Sequence, residues 1–185
     1  MTSMRLFEAI DFATLQHRGQ LRKGTSIPYI VHCVSVGKML MQLGSAEDVA
    51  IAGILHDVVE DTEAELEEVR QRFGSRVADL VDGVSEPDKQ LPWRDRKEHA
   101  IAKARSTDDL ELLAIKCADK LDNIQDMRHD HSRIGEKLWE RFKAPRDKQL
   151  WYHTTLCDLF EQRLMGSPWE ELAFRYRAEV AWLFP

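Results

Sequence analysis

The run Leu55-His56-Asp57-Val58-Val59-Glu60-Asp61 places an imidazole and three carboxylates within two helical turns. On a helix His56 and Glu60 are four apart, as are Asp57 and Asp61, so the four groups share neighbouring faces. The stretch before them, Val49-Ala-Ile-Ala-Gly-Ile-Leu55, is small and apolar, which buries the start of the cluster. Burying an imidazole beside carboxylates is costly unless donors or a cation satisfy them, and a divalent metal offers the largest compensation. A lone His-Asp pair is ordinarily a surface or capping pair. Two other residues change that reading: His32, at the start of a predicted helix, and Asp119, inside the apolar run that begins at Ile115. His32, His56-Asp57 and Asp119 together offer two nitrogens and two carboxylates from three helices. Such a set suits a borderline-hard divalent ion such as Mn2+ or Fe2+, with positions left open to water.

The elements that must position these groups are helices. Most of the chain carries a period near 3.6 and almost none of it alternates, which predicts an all-α bundle with short loops. Helices are expected over about Arg5–His17, Val31–Leu43 and Ala46–Val59. Between the first two, Arg18–Pro28 holds Gly19, Gly24 and Pro28 and reads as an ordered basic loop. Thr62-Glu-Ala-Glu65 has capping-box spacing and should open a helix that stops near Gly74, with Ser75 capping the next as far as Val84. Glu86–Pro92 reads as a mobile loop, followed by a helix through Lys97 and Ala104. A long apolar helix is expected over about Asp108–Met127, then two more over Pro145–Met165 and Pro168–Phe184.

Composition narrows the classes. The 185 residues are 43% hydrophobic and 31% charged with nine Gly and six Pro, a soluble globular profile that excludes collagen-like, disordered and membrane-spanning chains. No internal repeat or linker divides them, so residues 1–185 are expected to form one domain. A net charge of −6, from 26 Lys+Arg against 32 Asp+Glu, disfavours nucleic acid, so an anionic ligand must meet a local basic patch. Cys33, Cys117 and Cys157 are odd in number and widely spaced, which predicts a reducing, cytoplasmic setting. The start lacks the basic and apolar regions of a signal peptide, and no membrane partner is expected.

With these residues in view, the order His32, His56-Asp57, Asp119 resembles the HD superfamily of metal-dependent phosphohydrolases. More narrowly, Arg22-Lys23-Gly24 with Pro28-Tyr29-Ile30 and His32, then His56-Asp57-x-x-Glu60-Asp61, then Ala118-Asp119-Lys120-Leu121-x-Asn123 resemble the hydrolase domain of RelA/SpoT homologues. The likeness covers about residues 5–130, and residues 131–185 are expected to pack on it as C-terminal helices. It departs at Cys33, where relatives often carry proline, and it is weak past residue 130. The long members carry a synthetase after the hydrolase; this chain is similar to a stand-alone small alarmone hydrolase, like the metazoan SpoT homologues.

The resemblance implies an HD-domain bundle that removes pyrophosphate from the 3′ position of (p)ppGpp, releasing GDP or GTP. It assigns one Mn2+ to His32, His56, Asp57 and Asp119, although Fe2+ or another divalent ion would also suit the set. Glu60 and Asp61 would orient the attacking water and take its proton. Arg22 and Lys23 resemble the nucleotide-loop residues, a guanidinium for a purine face and a point charge for phosphate. Asn123 resembles the ribose contact, and Lys148 with Tyr152, four apart on a later helix, would reach the substrate phosphates. The partner is thus a small nucleotide. Two other functions stay open: the same fold acting on an adenosine alarmone, a deoxynucleotide or the phosphate of NADPH, and a sensor that binds alarmone without cleaving it. Oligomeric state is left open.

Overall fold

The computed structural model describes residues 3–85 and 91–185. Among them the apolar periodicity becomes an all-α bundle: α1 (Met4–Gln16), α2 (Ile30–Gln42), α3 (Glu47–Leu55), α4 (Val58–Asp61), α5 (Leu66–Phe73), α6 (Ser75–Val84), α7 (Trp93–Ser106), α8 (Leu110–Ile134), a 3-10 segment (Gly135–Arg141), α9 (Arg146–Leu164) and α10 (Glu170–Leu183). One isolated antiparallel bridge, Leu21 with Pro28, closes the basic loop between α1 and α2. The expected connection at Glu86–Pro92 lies largely outside the described residues, which resume at Leu91.

α3 is the centre. Every residue from Val49 to Leu55 is buried, so the helix is apolar all round, as a core helix must be. It packs against α1, α2, α6 and α8. Its crossing with α2 is close because both helices place glycine there. A methyl added at Gly37 would overlap the Ile54 side chain, and one at Gly53 would fall 2.5 Å from Leu40 Cδ1. This contact sets His32 on α2 beside the end of α3. The second long wall is α8, with Leu113, Ala114, Ile115, Cys117, Ala118, Leu121 and Ile124 wholly buried. Asp109 caps it, accepting from the Glu111 and Leu112 amides at 3.0 and 3.2 Å. α10 packs on α8 and α9.

Four expectations about element ends are corrected. The helix expected to run unbroken through Val59 breaks after Leu55, with His56 and Asp57 forming a turn before α4. The cause is local: His56 Nδ1 bonds the Gly53 carbonyl at 2.8 Å, the acceptor an unbroken helix would offer to the Asp57 amide. The expected capping box at Thr62 does not form. Thr62 Oγ1 donates back to the Val58 carbonyl at 2.6 Å and accepts from the Ala64 amide at 3.1 Å, so it closes α4, and α5 begins only at Leu66. Ser75 is the first residue of α6 rather than its cap, which is Gly74 at φ +94°. The long apolar helix also continues to Ile134 rather than ending near Met127; residues 128–133 are polar, so the apolar stripe ends before the helix does.

Candidate metal centre and active site

His32 comes from the first turn of α2, His56 and Asp57 from the turn between α3 and α4, and Asp119 from the middle of α8. Both histidines are buried, at 1% and 3% exposure. Their Nε2 atoms lie 3.3 Å apart. Asp57 Oδ2 is 3.7 Å from His32 Nε2 and 3.0 Å from His56 Nε2. Asp119 Oδ1 is 3.4 and 3.7 Å from the same two atoms. Four donor atoms thus converge, and the His32, His56 and Asp57 ligand atoms all lie within 4.8 Å of one another. The opposite ring nitrogens are committed elsewhere: His32 Nδ1 to Asp122 Oδ2 at 2.6 Å and His56 Nδ1 to the Gly53 carbonyl. Donating from Nδ1 leaves the Nε2 lone pair facing the cluster, the tautomer that a metal ligand needs. On chemistry and placement, the residues fit a divalent ion.

Without an ion the cluster is a network of charged hydrogen bonds. Burial works against charge on His32, but bonds to Asp119, Asp122 and Asp57 outweigh it and hold the ring at about 9. Burial also opposes charge on His56, and the Asp57 carboxylate beside it prevails and raises its pKa. Conversely, burial disfavours ionised Asp57 and Asp119, yet His56 holds the first, and Lys120 with the two histidines the second, well below the usual carboxylate range. Tyr29, raised by burial and by Asp57, stays protonated and donates its hydroxyl to Asp57 Oδ2 at 2.5 Å.

A cavity of about 220 Å3 opens beside the cluster. Asp57, Glu60, Asp61, Asp119 and Asn123 line it, and so does Tyr152 from α9. Asp61 is held through its backbone carbonyl, which accepts from Gln20 Nε2 at 2.8 Å. Four basic residues, Arg96, Lys97, Lys116 and Lys120, share the wall. Sequence reasoning gave them no role. The available signal was their placement on α7 and on the buried side of α8, where a lysine at 9% exposure such as Lys116 needs a purpose.

A second cavity of about 150 Å3 is lined by Arg22, Lys23, Arg141 and Phe142, and it shares Tyr29 and Asn123 with the first. Arg22 is buried rather than presented on an open loop. Its guanidinium donates to Asp126 Oδ2 from Nε at 2.7 Å and to Asn123 Oδ1 at 3.1 Å, and lies 3.5 Å from Asp122 Oδ2. Asn123 in turn donates to Asp119 Oδ1 at 2.5 Å. Lys23 is exposed, its Nζ 5.1 Å from the Phe142 ring. The structure therefore brings His32, His56, Asp57, Asp119, Glu60, Asp61, Asn123 and Tyr152 around one centre, with Arg22 and Lys23 next door. Lys148 does not join them: it is exposed on α9 and lines neither cavity. Asp122 and Tyr29, which fix His32 and Asp57, had been given no role, because one sat at an unassigned motif position and the other reads from sequence as a loop aromatic.

Comparison with known proteins agrees with this fold. The model of the HD domain family matches residues 9–147. The mouse guanosine-3′,5′-bis(diphosphate) 3′-pyrophosphohydrolase MESH1 is 40% identical over 126 residues, 66% of this chain and 69% of that protein. The 3′-pyrophosphohydrolase of Aquifex aeolicus is 37% identical over 119 residues, 63% of this chain but 17% of its own length. The chain thus spans about a sixth of that longer relative. A solved structure, described as a metazoan ortholog of SpoT that hydrolyzes ppGpp and plays a role in starvation responses, superimposes with a TM-score of 0.79 at 29% identity, covering 98% of this chain and 97% of the other. With its four-donor cluster on the same scaffold, the chain belongs to the HD domain family and sits there beside the MESH1 and SpoT proteins.

Proposed function

We propose that the protein is a metal-dependent (p)ppGpp 3′-pyrophosphohydrolase. The observation that carries this reading is the pair of neighbouring cavities that share Tyr29 and Asn123 in their walls. Each is small beside the roughly 300–1,000 Å3 of a typical ligand pocket, and side by side they suit a substrate with one part at the carboxylate centre and another beside Arg22 and Lys23. A nucleoside with a 3′-diphosphate has that form: ribose at the junction, base in the second cavity, diphosphate in the first. The names of the mouse and Aquifex relatives support the same substrate.

His32, His56, Asp57 and Asp119 would hold the ion, for which Mn2+ is the first choice and Fe2+ the second. When bound, it polarises a phosphoryl oxygen and lowers the pKa of nearby water. The rest is done by the chain. Glu60 and Asp61 orient the attacking water and take its proton. The new bond joins that oxygen to the 3′ phosphorus, the bond from phosphorus to the ribose 3′ oxygen breaks, and a proton restores the 3′ hydroxyl. The products are GDP or GTP and intact pyrophosphate. Arg96, Lys97, Lys116 and Lys120 oppose the charge that builds on the phosphates, and Asn123, braced by Arg22 and Asp119, positions the sugar. Three free, buried cysteines support a reducing, cytoplasmic setting. No helix among the described residues is long and apolar enough to cross a membrane.

The test is a product assay on manganese-loaded protein by phosphorus NMR, where ppGpp should give GDP and pyrophosphate. Cleavage of a different nucleotide with ppGpp left intact would move the substrate. Tight binding of ppGpp without product would make the protein a sensor.

A further inference from the structure

The guanidinium groups that line the second cavity are already engaged by carboxylates. Arg22 is engaged by Asp126, Arg141 by Asp130, and Lys23 lies against the Phe142 ring. The two guanidinium charges are thus balanced by two carboxylates, which leaves a surface better suited to an uncharged heterocycle than to a polyphosphate. Asp126 is the open member of the set. Its side chain is 49% exposed, against 16% for Asp130. Arg22 approaches a single oxygen, Oδ2, with Nε at 2.7 Å and with a terminal nitrogen at 2.5 Å, which fixes the carboxylate while Oδ1 keeps two acceptor sites.

The position of Asp126 follows from α8. Asp119, Asp122, Asn123 and Asp126 fall at intervals of three and four residues, so they form one stripe along the helix. The stripe runs from a proposed metal ligand through the partner of His32 and the sugar contact to the second cavity. Asp119 and Asp126 are separated by roughly 10 Å along the axis, comparable to the reach of a nucleoside from its 3′ oxygen to the edge of its base.

We infer that Asp126 selects guanine over adenine, its Oδ1 accepting from the adjacent N1–H and exocyclic amine of the base. This rests on the alarmone reading above and names the residue that reads its base. The chemistry discriminates by sign. Guanine turns two neighbouring donors toward the carboxylate, whereas adenine presents the N1 lone pair and would leave a carboxylate oxygen facing an acceptor. Hypoxanthine keeps N1–H and loses the amine, so it should fall between them.

The experiment measures kcat/KM of the manganese-loaded protein on the guanosine, inosine and adenosine forms of the 3′,5′-bis(diphosphate), with the wild type and with Asp126→Asn. The wild type should prefer guanosine to adenosine by roughly 10- to 100-fold, most of it in KM, with inosine intermediate. Asp126→Asn, which offers both a donor and an acceptor, should collapse that ratio toward one. The wild-type series needs no variant, so poor folding of Asp126→Asn would not hide the answer. Efficient cleavage of all three substrates alike, or a variant that loses activity equally on all of them, would overturn the inference and leave the hydrolase reading standing; the second result would reduce Asp126 to a support for Arg22. Cleavage of none of them would remove both.

Discussion

A histidine can present one nitrogen to a metal reliably only when the other is committed, and here that commitment comes from Asp122 for His32 and from a backbone carbonyl for His56. Asp122→Asn can flip its amide and release the ring, so metal affinity should drop by roughly 10- to 100-fold, read by titration with a competing chelator. Glu60→Gln and Asp61→Asn separate water activation from metal binding. Metal content should hold while kcat falls by about 10²–10⁴-fold, as the loss of a general base does; steady-state rates and elemental analysis on the same samples check both halves. At this scale the four donors were legible in the sequence because a buried aspartate in an apolar helix and a His-Asp pair after a small apolar run each demand compensation. Their supports were not. Asp122 lies 90 residues from His32 and Tyr29 lies 28 from Asp57, and no local pattern connects partners so far apart. Lys148 came with Tyr152 from the family resemblance, which is weak past residue 130, and the basic wall comes from α7 and α8 instead.

Helix ends and crossings decide where those residues stand. Gly53→Ala would force a methyl into Leu40 at the α2–α3 crossing, with an expected loss of about 1–3 kcal/mol in denaturant unfolding and weaker metal retention, because the two histidines ride on the helices being pushed apart. Asp109→Ala removes the cap of α8 and should cost about 1 kcal/mol. Its pH dependence has a definite sign. Burial opposes ionisation of Asp109, yet Arg76 and the Leu112 and Glu111 amides outweigh it and hold the pKa below the ordinary 3.8. A depressed carboxyl contributes stability that is full above the unfolded value and is lost as pH falls through the folded one. The gap between wild type and Asp109→Ala in urea melts should therefore be constant near neutrality and narrow only below about pH 3.8. Most of the helices could be read from periodicity, since their apolar stripes are long. The break at His56 could not, because it depends on a side chain choosing its own helix's carbonyl over solvent, and the Thr62 box failed because the hydroxyl had a nearer carbonyl at Val58.

On the scale of the whole molecule, the proposed ion ties together α2, the α3–α4 turn and α8. Because it binds the folded site and not the open chain, 100-fold excess over its dissociation constant should add about 2.7 kcal/mol, so chelation should lower the melting temperature by about 5–10 °C in a chain of this size, and Asp57→Ala should show no such shift. The architecture followed from helical period and short loops, but the second cavity did not, since its outer wall is built from the 3-10 segment and Phe142, beyond the recognisable motifs. The spread of the ligand set along the chain also imposes a timetable. His32, His56 and Asp57 leave the ribosome well before Asp119, which follows Asp57 by about 60 residues, or about 3–12 s at ordinary elongation rates. For that interval a nascent chain offers three donors without the α8 wall, a weak and unselective grip on whichever ion is most abundant nearby. Only when α8 emerges and docks is the fourth donor supplied, so the arrival of Asp119 closes the period in which one metal can readily be traded for another.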